Sequence, residues 1–87
     1  MAEYRVSFSR SARKELEGLP RQIVERIFPK IEALVVQPRP TGSTKLKGGL
    51  NLWRIRVGDY RVLYSIDDGQ RVIDVVAVRH RSGAYRD

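Results

Sequence analysis

A chain of 87 residues suffices for one domain with a minimal core, and 41% hydrophobic against 31% charged content places it among globular proteins. Seventeen Lys and Arg against 10 Asp and Glu leave a net charge of +7, which points to an anionic partner: nucleic acid, a membrane surface or an acidic protein. Without cysteine there is no disulfide framework and no thiolate metal site, and no apolar run approaches a membrane span. No signal-peptide pattern is present either, so a cytoplasmic protein is expected. The charge is not a tail. Residues 1–44 carry eight basic and five acidic side chains and residues 45–87 carry nine and five, so any basic patch must arise by folding.

Tyr4-Arg5-Val6-Ser7-Phe8 alternates and predicts a first strand with Tyr4, Val6 and Phe8 inward. Ser9 then caps a helix in which Ala12, Leu16 and Leu19 form a narrow apolar stripe. Gly18 weakens its end, and Pro20 opens a second helix at a position proline tolerates. Residues 20–36 supply Ile23, Val24, Ile27, Phe28, Ile31, Leu34 and Val35, a broad apolar face for a sheet. Pro29 lies inside this helix, where it removes a hydrogen bond and crowds the preceding turn. A kink near Glu25–Phe28 is expected, with a break into two helices as the alternative. Residues 37–43 form a loop by composition, and Lys45-Leu46-Lys47-Gly48-Gly49 leads out of it. No linker or repeat divides residues 1–87.

From Leu50 to Val78 the pattern changes to a period of two, with β-branched and aromatic residues marking three strands. Gly58-Asp59 suits a type II′ hairpin turn and Asp68-Gly69 a type I′ turn, and two-residue loops of this kind fix the register. In the first hairpin Val57 then faces Tyr60, Ile55 faces Val62 and Trp53 faces Tyr64, an apolar set that belongs to the core. The opposite face pairs Arg56 with Arg61 and Arg54 with Leu63. In the second hairpin the same logic sets Ile73 against Tyr64 and Val75 against Val62. The fold class is therefore α+β: an N-terminal strand and a two-helix hairpin packed on a twisted, mostly antiparallel sheet of about four strands.

Like charges directly opposite on neighbouring strands destabilise a sheet, by a few tenths of a kcal/mol per exposed pair. A solvated face normally mixes signs, so Arg54, Arg56 and Arg61 on one face read as a site for a dense anion. After the last strand come Arg79, His80, Arg81 and Tyr85. In regular alternation His80 shares the arginine face and Arg81 points away; Arg81 joins the site only if the strand bulges or ends before it. One histidine, no cysteine and no paired carboxylates leave no metal ligand set, no Ser-His-Asp arrangement and no cofactor requirement. Gly48-Gly49 lacks the strand and helix of a phosphate loop. What remains is a cationic site able to act on a phosphodiester whose own 2′-OH is the nucleophile. Arginines stabilise the added negative charge, His80 carries protons, and Tyr85 either carries protons or stacks on a base. Lys45 and Lys47 extend the cationic surface toward an RNA backbone.

"KLKG", "LWRIRVGDYRVLYSI" and "VVAVRHRSGAY", after a strand and two helices, resemble the RelE family of toxin–antitoxin toxins over nearly the whole chain. The resemblance implies a ribosome-dependent mRNA endonuclease that cuts in the A site without a metal. It also implies a RelB-like antitoxin that wraps the toxin in a hetero-oligomer and blocks it. Arg54 and Arg56 match the family's paired cations, and Arg61, Arg81 and Tyr85 match its later site residues. Well-studied members carry lysine at the first two positions; arginine keeps the charge but accepts protons poorly, which transfers the base role to His80. A ParE-like inhibitor of gyrase, with the same fold and no catalysis, is the alternative reading.

Overall fold

The structure, a computed structural model, describes residues 3–48 and 51–83. In chain order it consists of strand β1 (Arg5–Phe8), helices α1 (Arg10–Glu17) and α2 (Arg21–Ala33), strands β2 (Thr44–Lys45), β3 (Leu52–Val57), β4 (Tyr60–Asp67) and β5 (Val72–His80), and a 3-10 turn at Arg81–Gly83. The strands form one five-stranded sheet in the order β1-β5-β4-β3-β2. Only the β1–β5 pairing is parallel. The class is as expected, with one strand more than the four read from the pattern. The addition is β2, whose two residues pair with Arg54 and Trp53, too short a segment to alternate visibly.

Ser9 caps α1 as expected, its Oγ accepting from the Ala12 N–H at 3.1 Å. Pro20 is the N-cap of α2, and the helix runs unbroken through Pro29 to Ala33, three residues short of the expected end. Pro29 and Glu25, whose carbonyl the proline cannot bond, are both exposed, so water can satisfy the freed oxygen and no break is needed. The two helices cover one face of the sheet. Ala12, Ile27, Ile31 and Leu34 meet Ile55, Val57, Val62, Tyr64, Ile66, Ile73, Val75 and Val78 in the main core. On the opposite face a smaller cluster of Leu46, Leu63 and Ala77 closes over one end only.

The first hairpin has the expected register, Trp53 to Tyr64, Ile55 to Val62 and Arg56 to Arg61, with Gly58 at φ 59°. In the second, the expected two-residue loop is corrected to four residues, 68–71. Asp67 pairs with Val72, and Ile73 faces Ile66 rather than Tyr64. The Asp67 carboxylate accepts from the Gln70 N–H at 2.9 Å, holding a wider turn that Arg71 closes with φ 57°. This side-chain bond outcompetes the tight Asp-Gly turn. Asp68 is thereby turned outward, where Arg39 Nη2 reaches it at 2.8 Å and Tyr4 donates to it at 2.6 Å.

Candidate functional site

One irregularity in β5 decides which side chains meet. Tyr64 pairs with Val75, but Leu63 pairs with Ala77, so Val76 is an extra residue without a partner. Such a bulge reverses the facing of everything beyond it. Past it Val78 enters the core opposite Val62, Arg79 lies opposite Arg61, and His80 lies opposite Tyr60. The bulge is held from α1. Ser9 Oγ donates to the Val76 carbonyl at 3.2 Å, and one Glu15 oxygen accepts from the Val78 N–H at 2.9 Å. The strand edge that β1 leaves uncovered is thus satisfied by the first helix.

The expectation for His80 is corrected accordingly. Its ring lies edge-on to Tyr60, 5.2 Å between centroids, with Nδ1 3.0 Å from Ser82 Oγ, and it is on the helix-side parity of the strand rather than with the arginines. Arg79 takes the place expected for His80, and its Nε donates to the second Glu15 oxygen at 2.9 Å. Arg81 satisfies the condition set for it. The strand bulges before it, and the Arg81 N–H donates to the Asp59 carbonyl at 2.7 Å, clipping the start of the 3-10 turn onto the first hairpin loop.

Arg54, Arg56, Arg61 and Arg81 therefore gather around one end of the uncovered face. Arg61 is at their centre. Its Nη1 is shut off from solvent and has no hydrogen-bond partner among the described residues. Its pKa is lowered from the ordinary value, first by removal from water and then by the charges of Arg56, Arg54 and Arg81, with Asp59 opposing. A guanidinium nevertheless stays charged at neutral pH. Nearby Leu63 and Ala77 are buried under Leu46, giving the cations a low-dielectric flank. Beside Arg56, β2 leaves the end of β3 unpaired, and a depression of about 350 Å³ opens between Lys30, Pro40, Gly42 and Ile55.

Lys45 and Lys47 are not drawn into this group. Lys45 pairs with Trp53 and so faces away from the arginines, while Lys47 is exposed beyond the strand. Tyr85 lies outside the described residues. Arg79, Glu15 and the bulge are what the sequence reading missed. The available signal was Val75-Val76-Ala77-Val78, four apolar residues without alternation on a strand that is wet on one side. Among the described residues, no three His, Asp or Glu side chains cluster so as to hold a metal ion.

Comparison with known proteins bears on this geometry. The family described as "ParE toxin of type II toxin-antitoxin system, parDE" matches residues 6–85. The chain belongs to this toxin family. Toxin RelE of Mycobacterium tuberculosis is 33% identical over 87 residues, an alignment spanning 95% of this chain and 87% of that protein. RelE in the archaeal RelE-RelB complex from Pyrococcus horikoshii OT3 superposes with a TM-score of 0.80 at 32% identity, covering 97% of this chain and all (100%) of that one. The toxin of the intact Escherichia coli RelBE complex gives 0.79 at 27% identity, covering 95% and 99%. The chain is a RelE-family toxin of the type II toxin–antitoxin class, built on two helices and a mixed sheet as these structures are.

Proposed function

We propose that this toxin is an endoribonuclease that cuts mRNA on the ribosome. The observation that carries the reading is Arg61: a half-buried guanidinium beside the charges of Arg56, Arg54 and Arg81, with one nitrogen shut off from solvent and without a protein acceptor among the described residues. A structural arginine in so repulsive a place would be expected to carry its own carboxylate. A phosphate fits instead, since its oxygens accept from the fork and offset the mutual repulsion.

In the proposed reaction the RNA 2′-oxygen attacks the adjacent phosphorus, the bond to the 5′-oxygen breaks, and the products are a 2′,3′-cyclic phosphate and a 5′-hydroxyl. The proton leaving the 2′-OH must be accepted and one given to the 5′-oxygen. Arg61 and Arg81 stabilise the extra charge on phosphorus-bound oxygens, while Arg54 and Arg56 align the flanking phosphates. Tyr85 is assigned to proton handling or base stacking. His80, engaged with Tyr60 and Ser82, is a weaker candidate for base than the sequence implied. No metal enters this scheme. The net charge of +7 favours docking on ribosomal RNA, and Lys45 and Lys47 contribute to that general attraction. Both the ribosome and the message place the site of action in the cytoplasm; no helix among the described residues is long and apolar enough to cross a membrane. A RelB-like antitoxin is the proposed partner, because the similar structures are RelE–RelB complexes.

A ParE-like gyrase inhibitor is the second reading, favoured by the description of the matching family. Mapping the 5′ ends of a reporter mRNA after induction separates the two. Cuts within translated codons that vanish in Arg61→Ala and Arg81→Ala are expected; intact mRNA with arrested replication would establish the alternative.

A further inference from the structure

The edge of β3 is left open beside the arginines, and which groups are open follows from the ladder. Val57 and Tyr60 close the first hairpin as a hydrogen-bonded pair, so Ile55 and Trp53 also bond toward β4. The main-chain groups of Leu52, Arg54 and Arg56 then point the other way, as the Leu46 N–H donating to the Leu52 carbonyl at 2.8 Å confirms. The pairing of β2 with this edge begins at Thr44, opposite Arg54. Before Thr44 the chain turns away: the Ser43 N–H donates to the Pro40 carbonyl at 2.9 Å, and Gly42 takes φ 94°, a conformation that favours glycine. Among the described residues the Arg56 N–H and C=O therefore make no hydrogen bond. On this side of β3 lies the depression of about 350 Å³, with apolar walls at Ala33, Pro40 and Ile55, charged walls at Lys30 and Arg56, and no carboxylate in its lining. Ile55 belongs to the covered face of the sheet and Arg56 to the open one, so the depression wraps the sheet edge and joins the arginine site.

We propose that this depression is a nucleobase subsite: the base beside the phosphate that Arg56 aligns leaves the strand and enters it, adenine in preference to guanine. The substrate class rests on the proposed RNA cleavage; the shape and polarity of the site do not. The volume falls in the range of small-ligand pockets, roughly 300–1,000 Å³. Its apolar walls take the flat face of a base, and Lys30 and Arg56 set positive charge beside the π system. The free N–H and C=O of Arg56 put a donor next to an acceptor. Adenine presents the complement, its N7 acceptor beside its N6 donor, whereas guanine presents two acceptors, N7 and O6. An extended peptide is the other user of an open sheet edge, but strand addition needs main-chain groups repeated along several residues. Only Arg56 is open between the β2 pairing at Arg54 and the turn at Gly58, so a single planar ligand fits where a strand does not. The subsite gives the proposed reaction a base preference, which arginines bound to phosphate do not supply.

The test titrates the full chain calorimetrically with 2′-O-methyl oligouridylates of about five nucleotides, which carry no nucleophile. Each position in turn is replaced by adenosine, guanosine or an abasic residue. At one position adenosine should bind about tenfold more tightly than the abasic residue, and more tightly than guanosine. Ala33→Trp fills the depression from an exposed position at the end of α2. It should erase that difference and leave the affinity of the abasic oligonucleotide unchanged. Thr41→Trp fills the same space from the loop and replaces it if Ala33→Trp melts early. Arg61→Ala should instead weaken all the oligonucleotides alike. The subsite is overturned if adenosine binds no more tightly than guanosine or the abasic residue at every position, if no oligonucleotide binds, or if the preference survives both filling variants. An extended peptide that displaces the adenosine oligonucleotide overturns it too, assigning the edge to a protein strand. Failure of the nuclease reading looks different: the adenosine preference is present while 5′-end mapping finds intact mRNA.

Discussion

The two faces of this sheet obey opposite rules. On the helix-covered face, cross-strand neighbours are Trp53 with Tyr64 and Ile55 with Val62, pairs that reinforce one another and close against Ile27 and Ile31. On the uncovered face the corresponding neighbours are Arg56 with Arg61 and Arg61 with Arg79, like charges that push the same strands apart. Each repulsive pair costs a few tenths of a kcal/mol, whereas each buried aliphatic side chain contributes roughly 1.5–3 kcal/mol. The covered face therefore holds the register that the open face strains. Stability and function are segregated by side of the sheet, and substitutions should separate them.

The largest separation is expected at Arg61. If the proposed chemistry holds, Arg61→Ala lowers cutting by about 100-fold or more, the scale for losing a positioned charge at a developing anion. Its melting temperature should be unchanged or slightly higher, since repulsion with Arg56 is relieved. Primer extension and thermal melting on the same preparation check both. Substantial unfolding would show the guanidinium to be structural and would erase the contrast between the faces.

The mirror experiment is Ile27→Ala. This fully buried side chain lies at the centre of the helix-side core. Its truncation should remove about 2–5 kcal/mol of stability by denaturant unfolding. Well below the new melting point, the proposed cutting rate should be retained. A smaller effect is expected at Ser9, which serves both regions because its hydroxyl caps α1 and holds the Val76 carbonyl. Ser9→Ala should lower stability by about 1 kcal/mol. It should also slow cutting several-fold, because the bulge that turns Arg81 toward Arg61 loosens. An unchanged rate would mean that the pairing of β4 with β5 holds the bulge unaided.

Periodicity and turn chemistry are local, and what they govern was legible in the sequence. The first hairpin's register followed from Gly58-Asp59, and with it the juxtaposition of Arg56 and Arg61. Ser9 announced α1, and the alternation of β3 and β4 assigned their faces. The bulge was not legible in the same way, because it depends on contacts from a distant segment, Ser9 and Glu15 reaching β5. One extra residue there exchanged His80 for Arg79 and brought Arg81 inward. The four-residue turn was missed for a related reason. Asp68-Gly69 reads as a tight loop until Asp67 is seen bonding Gln70, with Arg39 and Tyr4 drawing Asp68 outward. β2 is simply too short to leave a pattern.

The last comparison is one of pH, with no effect expected near neutrality. Tyr64 is wholly within the core, its hydroxyl donating to the Pro38 carbonyl at 2.8 Å, and burial raises its pKa from 10.0 to about 12 although Ser43 and Arg39 pull the other way. Below pH 10 the phenol is protonated in both folded and unfolded chains, and its contribution to stability is fully present. Between pH 10 and about 12 the unfolded chain ionises first, so stability drains away as pH rises through the folded value. Tyr64→Phe should flatten that limb of the stability–pH curve while removing one hydrogen bond, about 1 kcal/mol, at neutral pH. An identical alkaline limb in the variant would assign the loss to groups on the other side of the sheet.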